Sequence, residues 1–171
     1  MNQEYIKTKL CSWMTTFLEK PTPALGGWAP CPYARKARLD KKIEIIFAEA
    51  DKLVASATAA IDILKTTEFE VVVVCFDHLL ITPEQTAVTV SELNQVLMPA
   101  NYVILEDHPQ NKEYVAGVNM NFGVCGLMLI QTLTALNTAS AKLKNTGYYD
   151  AWSASELEYV VNWRTDEVLS N

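Results

Sequence analysis

The stretch FEVVVVCFDH, Phe69 to His78, decides the fold. Four consecutive valines, then cysteine and phenylalanine, make a continuous β-branched and apolar run. It lacks the alternation of a strand that faces water on one side. Such a run belongs to a strand covered on both faces, and Asp77 and His78 mark where it surfaces. Two segments of similar character flank it, KIEIIFAEA (Lys42 to Ala50) and NYVILED (Asn101 to Asp107).

The connections between these segments are helical. From about residue 50 to 65, Leu53, Ala57, Ala60, Ile61 and Leu64 recur on one face. ITPEQTAVTVSELNQVL (Ile81 to Leu97) opens with Thr82, Pro83 and Gln85, a capping box that starts a helix despite the β-branched residues inside it. At the N-terminus, Ile6, Leu10, Trp13 and Phe17 predict an amphipathic helix over residues 3 to 19, stopped by Pro21. Pro32 suits the first position of a short turn over PYARKARL. After the third strand come roughly sixteen unpatterned residues, HPQNKEYVAGVNMNFG, a length that points to a functional loop. The apolar segment beyond them predicts one long helix from about 123 to 145, closed by Gly147. SASE (Ser153 to Glu156) caps a last helix through about Trp163. The expected architecture is a single α/β domain over residues 1–171. It has a three-stranded, mainly parallel sheet in βαβαβα order between an N-terminal and a C-terminal helix.

Composition narrows the function classes. Half of the 171 residues are hydrophobic and 20% are charged, enough apolar material for a sizeable core. A net charge of −6 and only three arginines, Arg35, Arg38 and Arg164, argue against nucleic-acid binding, which draws its affinity from Lys and Arg. No run approaches the ~18 apolar residues of a membrane span. The first twenty residues lack a basic n-region followed by an apolar run. Four widely spaced cysteines (Cys11, Cys31, Cys75, Cys125) form no CxxC pair. Reduced thiols and a cytoplasmic location are therefore expected.

Ligands in open α/β sheets bind outside the carboxyl ends of the strands. The second strand ends in Asp77 and His78, the third in Glu106, Asp107 and His108, and these are the two histidines of the chain. Parallel strands would align both imidazoles with the carboxylates on one edge, where they could act as general acid and base. His78, His108, Asp77 and Glu106 are the candidate catalytic residues, with Asp107, Asn119 and Asn121 of the following loop as ligand contacts. Spacing across strands is unlike a dedicated metal motif, so no metal is expected, and no cofactor is specified. The loop-to-helix junction NMNFGVCG (Asn119 to Gly126) has glycines but no Lys or Ser/Thr after them, far short of a phosphate-binding loop.

GGWAPCPYARKARL (Gly26 to Leu39) supplies the remaining candidates. A thiol at a helix start beside Arg35, Lys36 and Arg38 has the surroundings that lower a thiol pKa, so Cys31 is a candidate nucleophile. Arg35 and Arg38 would favour an anionic small molecule. The alternative is that Cys31 is a small buried residue and the two prolines shape the loop. CPYA is similar to the CPYC of glutaredoxins with Ala34 in place of the second cysteine. No strand precedes it, however, and no proline segment follows to face the thiol. Over about residues 10 to 110 the chain resembles an uncharacterised bacterial domain-of-unknown-function family carrying a CPFA motif, matched here by Cys31 to Ala34. That resemblance implies an α/β fold and no mechanism. The competing class is a non-catalytic interaction protein. Its aromatic-rich end (Tyr148, Tyr149, Trp152, Tyr159, Trp163) would be a partner surface, and a helical face would form a homodimer.

Overall fold

The computed structural model describes residues 1–166. The three expected strands form as β1 (Ile43–Ala48), β2 (Val71–Phe76) and β3 (Tyr102–Asp107). Helix α1 (Gln3–Trp13) continues through a π turn at Met14–Leu18, and α2 (Ala34–Leu39) follows the Pro/Gly connection. Helices α3 (Leu53–Thr66) and α4 (Pro83–Leu97) make the two crossovers. The capping box at α4 is present in full: Thr82 Oγ1 accepts from Gln85 N, and Gln85 Oε1 accepts from Thr82 N.

The sheet differs from the expectation in one respect. The segment expected to begin a long helix is a fourth long strand, followed by a shorter helix, α5 (Leu133–Lys144). Between β3 and that strand lies a small hairpin, β4 (Tyr114–Val115) and β5 (Val118–Asn119), so the long strand is β6 (Gly126–Thr132). It runs antiparallel to both β2 and β3 and lies between them, giving a four-stranded mixed sheet in the order β1-β2-β6-β3. A short apolar run cannot be assigned to helix or strand by periodicity, and the Leu and Met of GLMLIQT favour helix by propensity. Gly126 decides the matter. It pairs with Phe76 across the ladder, and a Cβ there would lie 2.2 Å from the Phe76 ring, so the glycine admits the aromatic into the sheet.

Helices cover both faces. Alternate residues of β2 (Val72, Val74, Phe76) join Ile104, Met128 and Ile130 under α3 and α4. The intervening Val73 and Cys75, with Leu127 and Cys125, pack against Ile6 and Leu10 of α1 and against Phe122. β1, β2 and β3 remain mutually parallel because β6 opposes both of its neighbours. Their carboxyl ends therefore share one edge, as the site argument requires. The last segment is α6 (Ala154–Leu157), a π turn at Glu158–Asn162, and α7 (Trp163–Asp166). Ser153 caps it as expected, in a second reciprocal box with Glu156. No helix among the described residues is long and apolar enough to cross a membrane.

Candidate functional site

β2 and β3 deliver the two imidazoles to the same place. The rings of His78 and His108 lie 5.9 Å apart, edge to face. They are not equivalent. His108 is 2% exposed; its Nε2 lies 3.1 Å from the carbonyl of Ile81, and its Nδ1 accepts from Gln110 N at 3.2 Å. A carbonyl needs a donor and an N–H needs an acceptor, so this pattern fixes a neutral ring with the proton on Nε2. His108 thereby ties the start of α4 to the loop after β3. The ring nitrogens of His78, half-exposed, make no hydrogen bond among the described residues.

The acidic residues of the edge are similarly divided. Asp77 Oδ1 accepts from Leu79 N at 3.1 Å, closing the turn after β2. Asp107 is buried, and both its oxygens are used: Oδ1 accepts from Asn121 Nδ2 at 2.6 Å and Oδ2 from Phe122 N at 2.8 Å. Burial raises its pKa, while these two hydrogen bonds oppose the shift. Asn121 also donates to Asn111 O and accepts from Glu113 N, and Asn119 Oδ1 accepts from Asn121 N. Asp107, Asn119 and Asn121 thus fasten the long loop to the end of β3.

Glu106 stands apart. Its Oε2 is buried without a hydrogen-bond partner, and desolvation, reinforced by the Glu113 and Asp107 carboxylates, pushes its pKa up to about 7. Glu113 is raised for the same reason, although Tyr159 OH donates to it at 3.1 Å. Sequence reasoning missed Glu113, and it assigned Tyr159 to a partner surface rather than to this carboxylate. One lies in an unpatterned loop and the other on a distant helix, so no spacing links them.

Cys31, Arg35 and Arg38 do not reach this edge. Met1 lines a groove with Ala48 and Asp77, so α1 begins at the carboxyl edge. Leu18 ends the helical run about 25 Å further on at 1.5 Å per residue, and its carbonyl accepts from Cys31 N. The expectation that the Cys31 loop closes one side of the site is therefore corrected. The lowered thiol pKa is corrected as well. Burial raises it, and the neighbouring Glu19 carboxylate adds to the effect. The guanidinium that would oppose this is engaged: Arg38 donates to both oxygens of Glu19, at 2.6 and 2.8 Å, and holds that carboxyl below its usual range. Cys31 is half-buried with a raised thiol pKa, and Arg38 is a clasp between α2 and the end of α1.

Tyr148 leads the aromatic C-terminal segment inward, while Tyr159 stays exposed. Tyr148 is buried, donates to Pro30 O at 2.6 Å and packs against Trp28, Tyr149 and Trp152. Trp163 packs beside Val103 and Leu105.

Two contiguous open grooves do lie at the carboxyl edge. One, of about 530 Å³, runs between Ala50–Asp51 and the first turns of α4, lined by Leu80, Ile81, Glu84, Gln85, Val88 and Thr89. The other, of about 430 Å³, shares Ala50, Asp51 and Leu80 with it and adds Met1, Ala48, Glu49 and Asp77. Their apolar floor is bordered by four carboxylates, Glu49, Asp51, Asp77 and Glu84. Among the described residues no three His, Cys, Asp or Glu side chains converge as a metal ion would require. No protein-family model matches the chain, and no curated protein or solved structure is detectably similar to it.

Proposed function

We propose that the protein binds a small molecule in the double groove at the carboxyl edge of the sheet, with His78, the residue after groove-lining Asp77, as a polar contact. The observation that carries this reading is the coincidence of three features at one edge: the strand ends, the grooves, and the one imidazole whose nitrogens are uncommitted among the described residues. Exposed Leu80 and Val88 beside Asp51 and Glu84 suit a ligand with an apolar body and a cationic or hydrogen-donating end. An anionic ligand is disfavoured there, because Arg35 and Arg38 lie at the far end of α1. Binding rather than catalysis is favoured, because Asp77, Asp107 and His108 are committed to backbone and loop contacts.

Chemical-shift mapping tests the proposal. Small alkylamines should shift the backbone signals of Leu80, Glu84, Gln85 and Val88, whereas carboxylates of equal size should not. Combining Asp51→Asn with Glu84→Gln should weaken the amine response several-fold. Shifts clustered instead around Arg38, or none with either series, would sink the reading.

A further inference from the structure

The two edges of the sheet are treated differently. At the β3 edge, Asn94 of α4 reaches over the strand. Its Nδ2 donates to Ile104 O at 3.0 Å, and its Oδ1 accepts from Ile104 N at 2.9 Å. A side-chain amide thus occupies the place where another strand would pair. Among the described residues the β1 edge has no such cover. Val71 N donates to Lys42 O, so the alternation of a parallel ladder aims the Lys42 carbonyl and the backbone of Glu44, Ile46 and Ala48 at β2. The N–H and C=O groups of Ile43, Ile45 and Phe47 then point outward, and none has a partner among the described residues. All six β1 residues are only half-buried, although Ile43, Ile45 and Phe47 pack beside α1 and Ile46 and Ala48 beside α3.

We propose that β1 pairs antiparallel with β1 of a second copy about a two-fold axis through Ile45, joining the two sheets into one of eight strands. The edge is self-complementary in that register. Ile45 faces Ile45, and Ile43 faces Phe47 at both ends, so all six outward backbone groups find partners at once. Glu44 falls opposite Ile46, away from any like charge. Just beyond the strand, Lys41 leaves the extended path in a turn with φ 56°, and its long side chain reaches towards Glu49 of the second copy, giving one opposite-charge pair at each end. Glu49 holds Lys52 in the single chain, but that pair is solvent-exposed and readily exchanged. With Asn94 closing the other edge, assembly stops at two rather than growing into a filament.

Sedimentation equilibrium on the full chain tests this, and a dimer is expected. Ile45→Pro removes an outward N–H while leaving the β1–β2 ladder intact, as proline at a strand edge allows. It should yield a monomer with unchanged circular dichroism. Charge reversal keeps the test decisive should that variant fail to fold. Lys41→Glu alone and Glu49→Lys alone should each weaken the dimer roughly tenfold through two like-charge contacts. Mixing the two variants should restore it, because every end then meets its opposite. A wild-type chain that is monomeric at every concentration overturns the proposal. So does a dimer indifferent to both charge variants.

Discussion

Glu106 shows how far a residue's environment can depart from its place in the sequence. Its side chain was legible as a polar strand end. What was not legible is that Glu113, from the loop, and Tyr159, from the last helix, close around it. A carboxyl at about 7 in the folded chain, against about 4.3 in the unfolded one, holds its proton more tightly when folded. Between those values the unfolded chain binds fewer protons. Stability is therefore fully present below about pH 4.3 and declines as pH rises towards about 7. Glu113, shifted in the same direction, adds to the slope. Glu106→Gln should flatten most of it, measured as the urea midpoint across that range; an unchanged slope would count against the assignment. Cys31 teaches the converse. Two of the three cations beside it in sequence, Arg38 and Lys36, are spent on Glu19 and Asp40, so proximity along the chain did not become proximity of charge. Iodoacetamide at neutral pH should label exposed Cys11 first and Cys31 later; the reverse order would reinstate a reactive thiol.

Among the elements, those with a local cause were readable in advance. Both capping boxes and the three parallel strands stand where turn chemistry and β-branched runs placed them. β6 was not readable, because its strand character comes from neighbours on both sides and from the fit of Gly126 against Phe76. Asn94 was equally silent: within α4 it is one more polar residue, and only its position against Ile104 gives it a task. Asn94→Ala would leave a buried N–H and a buried C=O without partners. It should cost about 2 kcal/mol of unfolding free energy, seen as a lower denaturant midpoint. A neutral result would mean that water replaces the amide.

At the scale of the molecule, His78 and His108 meet at one edge of the sheet, while Cys31 and the arginines lie at the other end of the structure. The convergence of His78 and His108 follows from parallel strands, and that much could be foreseen. The placement of Cys31 and the arginines depended on the length and direction of α1, which no motif encodes. The sheet's order also sets which parts open together. β6 supplies the ladder partners of both β2 and β3, so native-state hydrogen exchange should show β2, β6 and β3 amides exchanging as one unit. Separate, faster opening of β6 would contradict this.

That arrangement has a consequence for biosynthesis. As the chain leaves the ribosome, β1 and β2 can zip together early, but β3 emerges with α4 beside it and no strand to pair with. The strand that separates and joins them is made last of the four. Until residue 132 is free, the nascent chain carries an unfinished sheet whose hydrophobic middle is open. Chaperone contact should therefore persist late into translation, and premature termination anywhere before β6 should yield a product that the cell degrades rather than a smaller stable domain.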